Sequence, residues 1–233
     1  MPIPTPDLGG IVKALKEVGK AWRTFKGYRL LVFGTKAVGK TTLWRHLEGG
    51  EAVKASVSTT LAPEEIGRFK LKDIKFAGIT TRVLGVDVPG DPNLRATWED
   101  TLYRMDAPTH GIIFMLDNVE DTARGVPAAG YDPARLAEHY QAFKHLSDLI
   151  FNRADVADNL QALLVLVNKR DSWPAGLQYG DIMEASGINA LMPRFNELTH
   201  CRPRVQSCSA LYGANVQGSM AWMAKNFDKL KSD

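Results

Sequence analysis

The sequence predicts an α/β fold: a six-stranded, mostly parallel sheet with one antiparallel strand and helices on both faces. Three observations carry this. Short apolar runs with the length of buried strands recur at 28–33, 111–117 and 160–168. Segments of helical period lie between them, notably 40–48 and 134–151. Two alternating segments, 68–76 and 80–88, flank Ala77-Gly78 in the pattern of a hairpin. Strands that alternate with helices build a parallel sheet, and the hairpin supplies the antiparallel strand.

In chain order, residues 1–7 are a Pro-rich lead. Residues 8–26 read as an amphipathic helix, because Leu8, Ile11, Val12, Leu15, Val18, Trp22 and Phe25 fall on one stripe at steps of three and four. Gly27 is its stop, so the chain divides into an extension, 1–27, and a domain, 28–233. Strand 28–33 opens the domain and helix 40–48 follows, ended by Gly49-Gly50. Residues 51–65, rich in Ser and Thr and containing Pro63, read as a loop. After the hairpin come a helix over 94–104, strand 111–117, a Gly/Pro/Ala-rich loop over 126–133 and helix 134–151. Strand 160–168, a helix over 187–198, a short strand over 205–209 and a closing helix over 216–229 complete the order. His139 and His145, on the 134–151 helix, read as surface or boundary residues and not as ligands.

Composition excludes several classes. A net charge of +3 on 233 residues is too mild to argue for nucleic acid. Residues 1–29 nonetheless carry six basic side chains against two acidic ones, which leaves the rest near neutral. The two cysteines, Cys201 and Cys208, have neither metal-like spacing nor a disulfide framework, and a reducing cytoplasm fits them. The first ten residues hold three prolines and no apolar run, so no secretory leader is expected.

The most specific signal is Gly34-Thr35-Lys36-Ala37-Val38-Gly39-Lys40-Thr41, which fits G-x-x-x-x-G-K-[ST] between a strand and a helix. Backbone N–H groups of such a loop cradle phosphate oxygens, and the helix N-terminus adds its positive dipole end. The candidate phosphate-binding residues are Lys36, Ala37, Val38, Gly39, Lys40, Thr41 and Thr42. Lys40 supplies charge to the phosphates, and the Thr41 hydroxyl can ligate Mg2+.

Three further pieces follow in order. Asp87-Val88-Pro89-Gly90 ends an alternating strand. Its carboxylate can hold Mg2+ through water, and the Gly90 N–H can meet a γ-phosphate. Asn168-Lys169-Arg170-Asp171 follows an apolar strand and chooses the base. The Asp171 carboxylate accepts only, and guanine offers it paired donors where adenine does not. An unpaired acceptor there costs about 1–3 kcal/mol, which argues against a kinase or ATPase. Last, Ser209 and Ala210 follow the 205–209 strand, where a backbone N–H can reach the guanine carbonyl.

These motifs resemble those of Ras-like small GTPases, over about 28–230, and within them the ADP-ribosylation-factor kind. Asp87 to Asp91 through Leu94-Arg95 to Trp98 is similar to that family's second switch. Residues 111–117 are similar to its next strand, and Ala210 to Trp222 to its last loop and helix. The resemblance implies a P-loop GTP-binding fold, GTP/GDP and Mg2+ as ligands, and a switch whose state an effector protein reads. It implies metal contacts from Thr41, Asp87 and a first-switch threonine, either Thr59 or, preferably, Thr60. Thr60 would also serve catalysis. An amphipathic helix ahead of the first strand is a habit of the same family. Two readings stand for 8–26: peripheral contact with a membrane surface, or packing on protein.

Three departures bear on chemistry. Asp91 stands where these GTPases place the glutamine that orients the attacking water. Ionised aspartate cannot donate and is repelled by phosphate, so slow hydrolysis is expected. Lys36, at a loop position where relatives carry glycine or an acid, either brings a cation to the β/γ bridge or is a solvated loop side chain. The interval from Asp117 to Asn168 is long, with its extra residues centred on 126–133. The reading is a guanine-nucleotide switch of slow GTPase activity. The alternative is a hydrolysis-deficient scaffold that serves as an interaction module.

Overall fold

The computed structural model describes residues 28–47, 64–70, 82–103, 108–120 and 126–227, and of 64–70 and 82–84 only the backbone. The 8–26 helix, the 51–63 loop, the Ala77-Gly78 turn, Thr59 and Thr60 lie outside the described residues.

Among the described residues six strands form one sheet: β1 (Tyr28–Gly34), β2 (Glu64–Lys70), β3 (Arg82–Asp87), β4 (Gly111–Leu116), β5 (Ala162–Val167) and β6 (Arg202–Ser207), in the order β2-β3-β1-β4-β5-β6. Only β2 runs antiparallel, against β3; the other pairings are parallel. β1, β4 and β5 are buried along their whole length, which is why they read as unbroken apolar runs. β2 and β6 are the two edges.

The helices are α1 (Lys40–Leu47), α2 (Ala96–Tyr103), α3 (Pro133–Phe151), α4 (Ala154–Asn159), α5 (Tyr179–Ser186), α6 (Met192–Asn196) and α7 (Val216–Phe227). They pack on both faces of the sheet. One core joins Phe33, Trp98, Phe114, Leu146 and Phe195; the other joins Trp44, Leu164, Met220 and Phe227. α3 begins with Asp132 accepting from Ala134 N–H at 2.9 Å and with Pro133 in its first turn, a standard start signal.

Several sequence expectations shift. The first hairpin strand begins at Glu64, inside the expected loop, and includes a register irregularity between Glu65 and Gly67. The 94–104 helix is a short 3-10 turn, Pro92–Leu94, followed by α2. The expected 187–198 helix breaks into a 3-10 turn, Ile188–Ala190, and α6. α5 comes before it, opened by a capping box of Gln178 and Asp181 and closed by Gly187 at φ +73°. Gly187 is therefore a helix end, not a start. α4 lacked a periodic signal because it is only six residues long.

Candidate functional site

The motif residues meet at one end of the sheet, beyond the carboxyl ends of β1, β3, β5 and β6. In doubly wound sheets ligands bind there, where neighbouring strands leave β1 in opposite directions. The 34–41 loop joins β1 to α1. Gly39 has φ +93°, and a Cβ on it would lie 2.5 Å from Asn168 Nδ2, so only glycine fits. Ala37 takes the left-handed conformation, φ 61°, at a cost of about 1–2 kcal/mol for a residue with a Cβ.

Lys40 is buried, and its Nζ donates to the carbonyls of Gly34 at 3.1 Å and Thr35 at 2.9 Å. Burial lowers its pKa to about 8, offset in part by Asp87. Thr41 Oγ1 donates to Asp87 Oδ2 at 2.7 Å, which joins the loop to the end of β3. Gly90 approaches the same place: a Cβ there would lie 2.5 Å from Lys40 Nζ and from the Thr35 carbonyl. Thr42 is half-buried in the first turn of α1.

The β5 and β6 loops are tied to the phosphate loop by one side chain. Asn168 donates to the Val38 carbonyl at 2.8 Å, and its Oδ1 accepts from Ala210 N–H at 2.8 Å. The N–H expected to meet a guanine carbonyl is thus held by Asn168. Ser209 Oγ donates to Asp171, whose carboxylate is exposed. Lys169 sits at φ 60° and donates to the carbonyls of Val119 at 2.9 Å and Glu120 at 2.6 Å.

Asp91 does something the sequence did not signal. Its Oδ1 accepts from Asn93 N–H at 2.9 Å and caps the 3-10 turn before α2. Trp98, fully buried, donates from its indole to the Pro89 carbonyl at 2.7 Å and packs edge-on to Phe33. The Lys36 side chain is exposed.

Behind the phosphate loop lies a cluster that sequence reasoning missed. His139 is fully buried, not a surface or boundary residue; His145 is half-buried, as a boundary residue should be. His139 Nε2 lies 2.9 Å from Asp117 Oδ1, and its Nδ1 lies 3.1 Å from Thr35 Oγ1. The Asp117 N–H also lies 3.2 Å from Nε2, so a proton on Nε2 serves the carboxylate while a bare Nε2 serves the N–H, and the Thr35 hydroxyl donates or accepts at Nδ1 to match. Arg135, one helical turn earlier, donates to Asp117 from Nε at 2.8 Å and to the Lys36 carbonyl at 2.5 Å. Lys169 Nζ reaches the other Asp117 oxygen at 2.8 Å. Burial alone would raise the Asp117 pKa; the His139 hydrogen bond and the charges of Arg135 and Lys169 outweigh it and hold Asp117 well below the usual range. Burial pushes the His139 pKa down, against the pull of Asp117, which favours the neutral ring.

The signal for His139 was in the sequence. Leu136, His139, Phe143, Leu146 and Ile150 are spaced three and four apart and form the buried stripe of α3.

The sequence profile of the ADP-ribosylation factor family matches residues 13–227. The chain belongs to that family. Its members are GTP-binding switch proteins, which agrees with the motif order above. Among its relatives, ADP-ribosylation factor F of Dictyostelium discoideum is 26% identical over 201 residues, covering 86% of each chain. ADP-ribosylation factor-related protein 1 of Bos taurus is 29% identical over 204 residues, covering 85% of this chain and 84% of that one. In fold, it is similar to the mammalian SRP receptor structure, with TM-score 0.57, 18% identity, and coverage of 84% of this chain and 100% of that one. It is likewise similar to the Arl6 BBS3 small GTPase of Trypanosoma brucei with bound GppNp, with TM-score 0.56, 16% identity, and coverage of 88% and 99%. No helix among the described residues is long and apolar enough to cross a membrane.

Proposed function

We propose that this protein is a Mg2+-dependent guanine-nucleotide switch with slow intrinsic GTP hydrolysis. The observation that carries the reading is the convergence on one loop: Thr41 on Asp87 at 2.7 Å, and Asn168 between Val38 and Ala210. Lys36, Ala37, Val38, Gly39, Lys40, Thr41 and Thr42 bind the phosphates. The hydroxyl of Thr41 and the carboxylate of Asp87 are hard oxygen donors, a set that fits Mg2+. Bound Mg2+ would neutralise charge on the phosphate oxygens. Thr60, or in its place Thr59, completes that contact from outside the described residues. Asn168, Lys169, Asp171, Ser209 and Ala210 form the base site, where Ser209 orients the Asp171 carboxylate and leaves it exposed to guanine donors.

Gly90, between Lys40 and the second switch, responds to the γ-phosphate. The Asp87-to-Trp98 segment is what an effector reads. Asp91 makes the chemistry slow. Its carboxylate is engaged by Asn93 N–H, and it brings no donor to an attacking water. That same cap favours a second reading, a GTP-bound scaffold that does not hydrolyse. Lys36 remains free to approach the phosphates or solvent. A cytoplasmic protein fits this reading, with 8–26 either as a peripheral membrane contact or packed on protein.

The first test is a binding panel of GTP, GDP and ATP. Guanine nucleotides should win by about a hundredfold, on the order of 3 kcal/mol. Asp171→Asn should shift preference toward xanthine nucleotide. Equal affinity for ATP and GTP would sink the base assignment. Single-turnover phosphate release then separates the two readings. A rate near 10⁻⁴ s⁻¹, roughly that of unassisted small GTPases, supports the switch, and no release over many hours supports the scaffold.

A further inference from the structure

We propose that Arg135 and His139, both oriented by Asp117, are positioning residues for the phosphate loop, and that they set how slowly bound guanine nucleotide leaves. The inference rests on the nucleotide-binding reading above. It starts from the geometry of one peptide unit. In a trans peptide the carbonyl and the following N–H point to opposite sides. Arg135 holds the Lys36 carbonyl on the α3 side at 2.5 Å. The Ala37 N–H is therefore turned away from α3. Ala37 is also the loop residue without glycine's freedom that stands in the left-handed region, φ 61°. A strained residue keeps its conformation only when neighbours over-determine it. Here the neighbour is a charge-assisted bond from a guanidinium whose side chain is 3% exposed.

His139 does the same one residue earlier. The Thr35 hydroxyl is anchored to its ring at 3.1 Å, and the Thr35 carbonyl accepts from Lys40 at 2.9 Å. Thr35 is thus fixed between the phosphate lysine and α3. Thr35, His139 and Asp117 form a hydroxyl–imidazole–carboxylate chain, but all three are fully buried, so the hydroxyl meets no substrate. The chain fixes a loop; it does not attack anything. Asp117 orients both α3 side chains and also receives Lys169 of the base motif. One buried carboxylate therefore sets the phosphate loop and the base loop relative to each other. Losing that order should loosen both grips on a nucleotide together.

The experiment follows release of a fluorescent GDP analogue from the full chain carrying Thr35→Val, Arg135→Gln or no change. Val156→Ala, remote in α4 and buried in the core, is the stability control. Thr35→Val keeps the shape and removes one hydroxyl. It should speed release about threefold, and Arg135→Gln about tenfold or more, the scale of one and of several lost hydrogen bonds. The phosphorus resonances of bound GDP should move in Arg135→Gln and not in Val156→Ala. If Arg135→Gln does not fold, Thr35→Val alone decides. Wild-type release rates in the loop variants would overturn the inference, as would a rise matched by Val156→Ala with unmoved phosphorus resonances. A wild type that takes up no guanine nucleotide overturns this inference and the reading beneath it together. A wild type that binds, with variants unchanged, overturns the inference alone.

Discussion

The Thr35–Lys36 stretch and the Pro89–Trp98 segment lie at the same end of the sheet, yet they are held in opposite ways. The first is gripped from behind by Arg135 and His139, both locked onto a fully buried Asp117. Among the described residues, the second is held by the Trp98 indole on Pro89, by bonds within its own turns, including the Asp91 cap, and by the burial of Leu94 and Trp98, with no buried ion pair behind it. Its ionic contact with α3 is loose, Arg95 to Glu138 at 3.8 Å between partly exposed side chains. The difference teaches a division of labour. A cradle must keep its shape whether or not it is filled. In the switch proposed above, the reporting segment must change shape at small cost.

Asp117→Ala breaks the comparison most severely. It leaves Arg135 and Lys169 without their shared buried partner and should cost about 3–5 kcal/mol in denaturant unfolding. A loss under about 1 kcal/mol would mean the cradle is not held from behind at all.

Acid acts next, on His139 behind the cradle and on His110 at the opposite end of the sheet, beside Tyr28 and Arg29. Burial lowers the His139 pKa in the folded chain, and burial and then Arg29 lower that of His110 to about 4. In the unfolded chain both take up a proton as pH falls through about 6.5. Stability is therefore full above that value and is lost as pH falls from about 6.5 to about 4, by up to about 3 kcal/mol for His110 alone. His110→Gln should flatten part of that slope in melts run across the range. An unchanged slope would show that the folded His110 is charged.

Trp98→Phe probes the looser side. It removes the Pro89 bond while keeping an aromatic ring against Phe33, and should cost about 1 kcal/mol. Hydrogen exchange at residues 90–97 should rise more than in β1. Uniform acceleration would erase the contrast. The smallest effect is expected from Asp91→Ala, about 0.5–1 kcal/mol for one lost cap, with Asp91→Asn near neutral.

The sheet was legible because β1, β4 and β5 are apolar throughout, and apolar runs between helical periods have few other uses. The phosphate loop and the Asn168-to-Asp171 motif were legible because their spacing is local and their chemistry demands particular residue types. The Asp117 cluster was not. Its partners are separated by 18, 22, 99 and 104 positions, and no local spacing carries such contacts. The cap by Asp91 was not legible for another reason: an aspartate before Pro92 suits a turn of several kinds, and the pair alone does not select a 3-10 cap. α5 was missed because its start lies in a capping box, Gln178 with Asp181, rather than in a run of apolar periodicity.

The β6 edge has a consequence for how molecules of this protein meet one another. Pro203 has no N–H to offer a new strand, and Arg202 and Arg204 on either side of it are exposed. Two copies that meet there face each other with like charges and an interrupted row of donors. Concentrated solutions should therefore resist edge-to-edge growth on this side. Replacing Arg202, Pro203 and Arg204 with valine would turn a guarded margin into a template for aggregation.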